Sequence, residues 1–174
     1  MRDSDRSAEF VAFTRGHRAD LVRTAALLCA GDEALGEDVV QTTLTRLYLA
    51  WHRVRRAESP LAYARTTLTH VFFDEVRRAH RRRETTVADP ALAGEPAFAR
   101  DPDVDLRAVV LAALESLGPR QRAVVVLRHW HDLDVAETAR ILHCSTGTVK
   151  SQNARALAHL RDVLGAAHLT AEVP

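Results

Sequence analysis

One hundred and seventy-four residues, 47% of them apolar, suffice for one domain or two small ones and exclude wholesale disorder. No apolar run reaches the roughly 18 residues of a membrane span. The start, Met1-Arg2-Asp3-Ser4-Asp5-Arg6, has no apolar stretch behind it, so secretion is not expected and a cytoplasmic location is. Two cysteines, Cys29 and Cys144, are too few and too far apart for a disulfide framework or a metal knuckle. The formal net charge of +1 conceals an uneven distribution. Residues 1–83 hold 15 Lys+Arg against 11 Asp+Glu, residues 84–102 hold 1 against 4, and residues 103–174 hold 8 against 8. Arg77, Arg78, Arg81, Arg82 and Arg83 close the first segment, and such a run points to a polyanion partner.

Apolar residues recur at three and four, glycine is scarce, and no alternating run stands out, so the chain reads as all-α. Helices are predicted at 7–29, 33–52, 60–82, 103–116, 119–130, 134–142 and 146–164. In the second of these, Val39, Val40, Thr43, Leu44, Leu47 and Trp51 share a core face. Asp38, Gln41, Thr42, Thr45 and Leu49 gather opposite, and an apolar Leu49 within a polar stripe hints at a partner surface. Ser59-Pro60 opens the third helix as N-cap and first helical residue. Its inner stripe is Leu61, Ala64, Leu68, Phe72, Val76 and Ala79. Its outer face carries Thr66, His70, Phe73, Arg77 and Arg81, with Tyr63 and Asp74 alongside. An exposed ring, hydrogen-bonding groups and arginines on one face suit unstacked bases and their backbone.

Residues 84–102 contain three prolines, a glycine and acids without a sustained period, and read as a linker. Its 19 residues reach at most about 63 Å stretched and average about 24 Å as a coil. The prediction is two small helical domains, 1–83 and 103–174, on a flexible tether.

Beyond the linker, Asp134 to Leu142, a turn at His143-Cys144, and Ser145 to Arg155 have the grammar of a helix-turn-helix. Ala139 is small where two helices cross, Val149 returns the apolar contact, and Ser145 stands as N-cap, leaving a helix N-terminus suited to phosphate. On the second helix Val149, Ala156, Leu157, Leu160 and Leu164 lie inward. Gly147, Lys150, Ser151, Ala154 and Arg155 lie outward, with Thr146 and Thr148 at the rim, a composition that suits the major groove. His143 stands where such turns usually carry glycine.

The stretch Leu117-Gly-Pro-Arg-Gln-Arg-Ala-Val-Val-Val-Leu-Arg-His-Trp-His-Asp-Leu133, with Gly147-Thr-Val-Lys-Ser151, resembles the fourth conserved region of bacterial sigma factors. Asp38-Val-Val-Gln41 resembles the polymerase-binding signature of the second region, with Thr42 where glutamate is usual. Tyr63-Ala-Arg-Thr-Thr-Leu-Thr-His70, followed by Phe72-Phe-Asp-Glu-Val-Arg-Arg78, resembles the segment that reads the minus-ten element, with His70 where asparagine is typical. The whole is similar to the smallest sigma class, the extracytoplasmic-function (group four) factors, most of all their actinobacterial sigma-E-like set.

The resemblance implies a sigma2-like bundle and a sigma4-like helix-turn-helix domain. Its implied partners are core RNA polymerase (the β′ clamp helices and the β flap), promoter DNA and an anti-sigma factor, with no membrane and no cofactor. It places Asp38, Gln41, Thr42, Thr45 and Leu49 against polymerase. Tyr63, Thr66, His70, Phe73, Arg77, Arg78 and Arg81 go to melted minus-ten DNA. Ser145, Thr146, Gly147, Thr148, Lys150, Ser151 and Arg155 go to the minus-thirty-five duplex.

Two rival readings stand beside this one. A conventional helix-turn-helix regulator would bind a two-fold operator as a homodimer. A metal- or redox-responsive interaction protein would use the nine histidines and two cysteines. No His or Cys pair has ligand spacing, because His129 and His131 diverge on a helix and Cys29 and Cys144 read as small hydrophobes. No nucleophile elbow or phosphate-cradling loop occurs, so catalysis by this chain is not expected.

Overall fold

The computed structural model describes residues 3–85 and 102–171. Eight α-helices occur among them: α1 (Asp3–Leu28), α2 (Glu33–Leu49), α3 (Trp51–Val54), α4 (Pro60–Thr85), α5 (Pro102–Glu115), α6 (Pro119–Val125), α7 (Val135–Ile141) and α8 (Thr146–Ala171). A π-helical turn, Val126–Trp130, joins α6 to α7, and the described residues contain no strand. The predicted linker lies outside the described residues except at Glu84–Thr85 and Pro102.

In the first module α1, α2 and α4 pack around Leu21, Leu28, Val39, Leu47, Leu68, Val71 and Phe72, all buried. Asp32 caps α2 by accepting from the Leu35 N–H at 3.0 Å. Ser59 does the same for α4 through the Ala62 N–H at 3.2 Å, with Pro60 as the first helical residue. The helix predicted over 33–52 is two helices that meet at Ala50, whose φ is −98° and ψ 12°. Beyond the break Trp51 still faces inward, against Phe10 and Phe13 at centroid distances of 5.4 and 5.2 Å, while its Nε1–H donates to Glu9.

In the second module Pro119 opens α6, and the Gln121 side chain accepts from the Gly118 N–H. The prediction of one α-helix over 119–130 is corrected at Val126, where the chain widens into i→i+5 bonding, with the His131 N–H reaching the Val126 carbonyl at 3.1 Å. Val126 and Leu127 are both buried in this turn, and His131, which follows it, meets Thr24 of α1. Asp134 and Glu137 then form a reciprocal capping box at the start of α7.

The modules share a core. Ala123 and Val126 of the second sit in the apolar cluster built by α1, α2 and α4 of the first. Leu27 of α1 packs against Leu114, Leu117 and Ala156. Gly31, at φ +84°, turns the chain from α1 into α2, and a Cβ there would meet the Leu111 side chain of α5 at 3.2 Å. Arg122 spans the junction, donating to the Leu28 carbonyl at the end of α1 (3.0 Å) and to the Leu117 carbonyl (3.1 Å).

Phe72, 1% exposed, and Leu49, 70% exposed, separate core from surface. Phe72→Ala is expected to cost about 3–5 kcal/mol in guanidinium unfolding followed by circular dichroism. Leu49→Ala is expected to stay within about 0.5 kcal/mol of the parent chain.

Candidate functional site

The helix-turn-helix assembles as its residues dictate. Ala139 of α7 and Val149 of α8 are buried together with Val124, so the crossing is apolar and close. The Thr148 N–H donates to the Ser145 Oγ at 3.1 Å, which confirms the cap and leaves the first turn of α8 facing outward. His143 has φ 50°, the left-handed conformation that the turn demands, and the Cys144 N–H closes back on the Ala139 carbonyl at 3.0 Å. Thr146, Gly147, Lys150, Ser151 and Arg155 are exposed beside Ser145, with Thr148 half-buried at the rim. A surface of small, hydroxylated and basic side chains around a helix N-terminus is chemically fit for phosphate and base edges.

On α4 the predicted inner stripe is buried or half-buried, and Thr69 and Val71 join it. Tyr63, Arg77, Arg78 and Arg81 reach solvent, and Thr66 is half-buried. Phe73 is corrected: the ring predicted to be exposed is half-buried, tilted against Phe72 at a centroid distance of 5.3 Å. His70 is half-buried as well. Its Nε2 is 2.8 Å from the Ile141 carbonyl, and its ring stacks on that of His143 at 5.1 Å and 26°.

Two of the arginines are tied along the helix, Arg77 to Asp74 and Arg78 to Glu75. The sequence signal for these pairs is the acid three residues before each arginine. Asp74 also receives Arg46 of α2 at 2.9 Å. Burial pushes its carboxyl up, but the hydrogen bonds from Arg46 and Arg77 prevail and hold it below the usual range.

On α2, Val39, Val40, Thr43 and Leu47 face the core. Asp38, Gln41, Thr45 and Leu49 are exposed on the opposite side, with Thr42 half-buried between them. The outward stripe is continuous and ends in an apolar side chain, so it offers both charge and hydrophobic area to a partner.

Sequence reasoning missed a polar cluster between the modules. Arg65 of α4 grips Asp20 of α1 with two bonds, of 2.9 and 2.7 Å, and this pairing holds the Asp20 carboxyl low. One helical turn on, the buried Thr24 hydroxyl donates to the Asp20 carbonyl at 2.8 Å. Its single proton is thereby used, so at 3.0 Å it accepts from His131 Nε2–H. Burial, helped by Arg65, lowers the His131 imidazole to about 4. No periodicity announces contacts between residues 107 positions apart.

Among the described residues no group of three or more His, Cys, Asp or Glu is placed to hold a metal ion. Burial pushes the Cys29 thiol up to about 12, which makes it an inert core residue, and Cys144 is half-buried. No helix among the described residues is long and apolar enough to cross a membrane.

Comparison with known proteins fits this geometry. Residues 14–82 match the family model for sigma-70 region 2, and residues 107–160 match sigma-70 region 4. The chain is 35% identical over 163 residues to the RNA polymerase sigma-E factor of Streptomyces coelicolor, covering 94% of this chain and 90% of that protein. It is 30% identical over 161 residues to the ECF RNA polymerase sigma factor SigM of Mycobacterium tuberculosis, covering 92% and 79%. The sigma factor RpoE of Bartonella quintana, solved in complex with the anti-sigma factor NepR, has the same fold: TM-score 0.72 at 24% identity, over 90% of this chain and 97% of that one.

The chain belongs to the sigma-70 family of RNA polymerase sigma factors, in its extracytoplasmic-function class. Its function is that of the family, promoter-specific initiation of transcription together with RNA polymerase core, and the homodimeric-regulator reading is not favoured. Sigma factors are non-catalytic initiation factors.

The left-handed turn gives a test of the local geometry. His143→Val is expected to unfold about 1–2 kcal/mol more easily than His143→Gly, because a β-branched side chain opposes φ 50° and glycine does not. Thermal unfolding of the two variants side by side measures the difference.

Proposed function

We propose a residue-level division of labour for this sigma factor. Residues 1–83 form the domain that docks on polymerase and captures minus-ten bases, residues 103–174 form the domain that reads the minus-thirty-five duplex, and residues 84–102 bridge them. Asp38, Gln41, Thr42, Thr45 and Leu49 meet the β′ clamp helices, and the second module meets the β flap. Tyr63, Thr66, His70 and Phe73 take unstacked bases, while Arg77, Arg78 and Arg81 follow the backbone. Ser145, Thr146, Gly147, Thr148, Lys150, Ser151 and Arg155 enter the major groove and its phosphates.

The observation that carries this reading is the exposed, capped N-terminus of α8 behind a close Ala139–Val149 crossing. The chain has no chemistry of its own in this scheme and acts in the cytoplasm, where polymerase is. A partner of the anti-sigma kind is also proposed, supported by family membership and by the Bartonella quintana sigma factor, which was solved with one. Binding energy spread over polymerase and two DNA elements makes the isolated chain a weak, salt-sensitive DNA binder.

Two sets of variants test the division. Arg155→Ala is expected to cost about 1–3 kcal/mol at promoters that depend on the upstream element. Lys150→Ala is expected to lower the salt slope of binding by about one. Both should leave core affinity, read by co-purification with polymerase, unchanged. Asp38→Ala combined with Gln41→Ala is expected to weaken core affinity and to leave duplex recognition by the second module intact. If either set produced the other's defect, the assignment would be wrong.

A further inference from the structure

The nucleic-acid faces assigned above are not both open. His70 and Phe73 of α4 line a cavity of about 660 Å³ whose far wall is the helix-turn-helix, through Leu142, His143 and Thr148, with Gln121 of α6 beside it. The His143 ring occupies the plane on which a base would stack over His70, and the Ile141 carbonyl engages its Nε2. The junction is held by apolar packing of Ala123 and Val126 into the first module, by Arg122 across to the end of α1, and by His131 on Thr24.

We propose that the free chain folds back on itself, with the helix-turn-helix covering the minus-ten face of α4, and that His131 makes this closure acid-labile. The masking half rests on the assignment of His70 and Phe73 to minus-ten DNA; the acid-labile half does not. In the closed form the His131 ring is neutral, since its Nε2–H is given to Thr24 and a second proton would place a cation beside Arg65. The groups facing it are Arg65 on α4 and Asp20 on α1, with Arg23 adding to the field on Asp20 and Asp132 following on its own turn. Arg65 already spends both its bonds on Asp20, so the carboxylate is only partly available to offset a new charge.

His131 binds its proton less readily closed, at about 4, than in water, at 6.5. Closure is therefore fully favoured above pH 6.5 and is lost as pH falls through that value toward 4. The full shift would move the closed-to-open ratio roughly 30-fold between pH 7.5 and pH 5. The ring is only half-buried, and screening by water reduces the expected change to about tenfold.

Small-angle X-ray scattering on the full chain at pH 7.5 and pH 5.0 tests the latch, with circular dichroism confirming unchanged helix content. A compact particle at pH 7.5 that expands at pH 5.0, and a His131→Gln chain that no longer responds to pH, are the expected results. Thr24→Val, which removes the acceptor without changing packing volume, should expand the particle already at pH 7.5. An extended chain at pH 7.5, or a pH response undiminished in His131→Gln, would overturn the proposal.

Photo-crosslinking to bromodeoxyuridine-substituted, random-sequence single strands provides the separate reading of masking. Crosslinks to Phe73 should rise on opening by Thr24→Val. Opening without that rise would overturn the minus-ten assignment and the masking that depends on it, while the latch would stand.

Discussion

The seating of Ala123 and Val126 in the core of the first module is the contact on which the rest of this structure depends. The two residues come from the end of α6 and the start of the π-helical turn, and both are essentially without solvent contact. The helix widens at Val126, the point at which it enters that core. Everything polar at the junction follows from that seat. Arg122 reaches the carbonyl end of α1, where a cation is favoured. His131 lands on Thr24, and the turn before α8 falls over His70.

On the proposed assignment, one chain presents three faces in unequal states. The outward stripe of α2 and the N-terminal turn of α8 are open to solvent. The central part of α4 is covered by the chain's own second module, and Arg77 and Arg78 are partnered within the helix. A sigma factor works only alongside polymerase, and an arrangement that leaves the polymerase face open while covering a DNA face suits that order of events. On the proposed closure, polymerase binding supplies the free energy that separates the modules, because a ligand shifts such an equilibrium only by its preference for one state.

The architecture was largely legible in the sequence because helix signals are local. Ser59-Pro60 and Ser145 mark helix starts through capping chemistry, each does so in the structure, and α6 begins at Pro119 as predicted. The Ala139–Val149 crossing and the left-handed demand at His143 could be read from the grammar of the turn. Three features were not legible, for one shared reason. The break at Ala50, the widening at Val126 and the burial of Phe73 fall where the chain meets side chains distant in sequence: Phe10 and Phe13 beside Trp51 at the first, the apolar core of α1, α2 and α4 at the second and third. The Asp20–Arg65–Thr24–His131 cluster belongs to the same class, since its members carry no common period. The Asp74–Arg77 and Glu75–Arg78 pairs were within reach of sequence reasoning, through their spacing alone.

Above all, the polypeptide is a supplier of start-site choice to polymerase. Transcription by core polymerase from a library of randomised promoters, with and without the chain, followed by mapping of the transcript ends, measures this directly. The chain is expected to concentrate starts downstream of two short sequence blocks, one read by each module. Starts distributed as they are for core polymerase alone would contradict it.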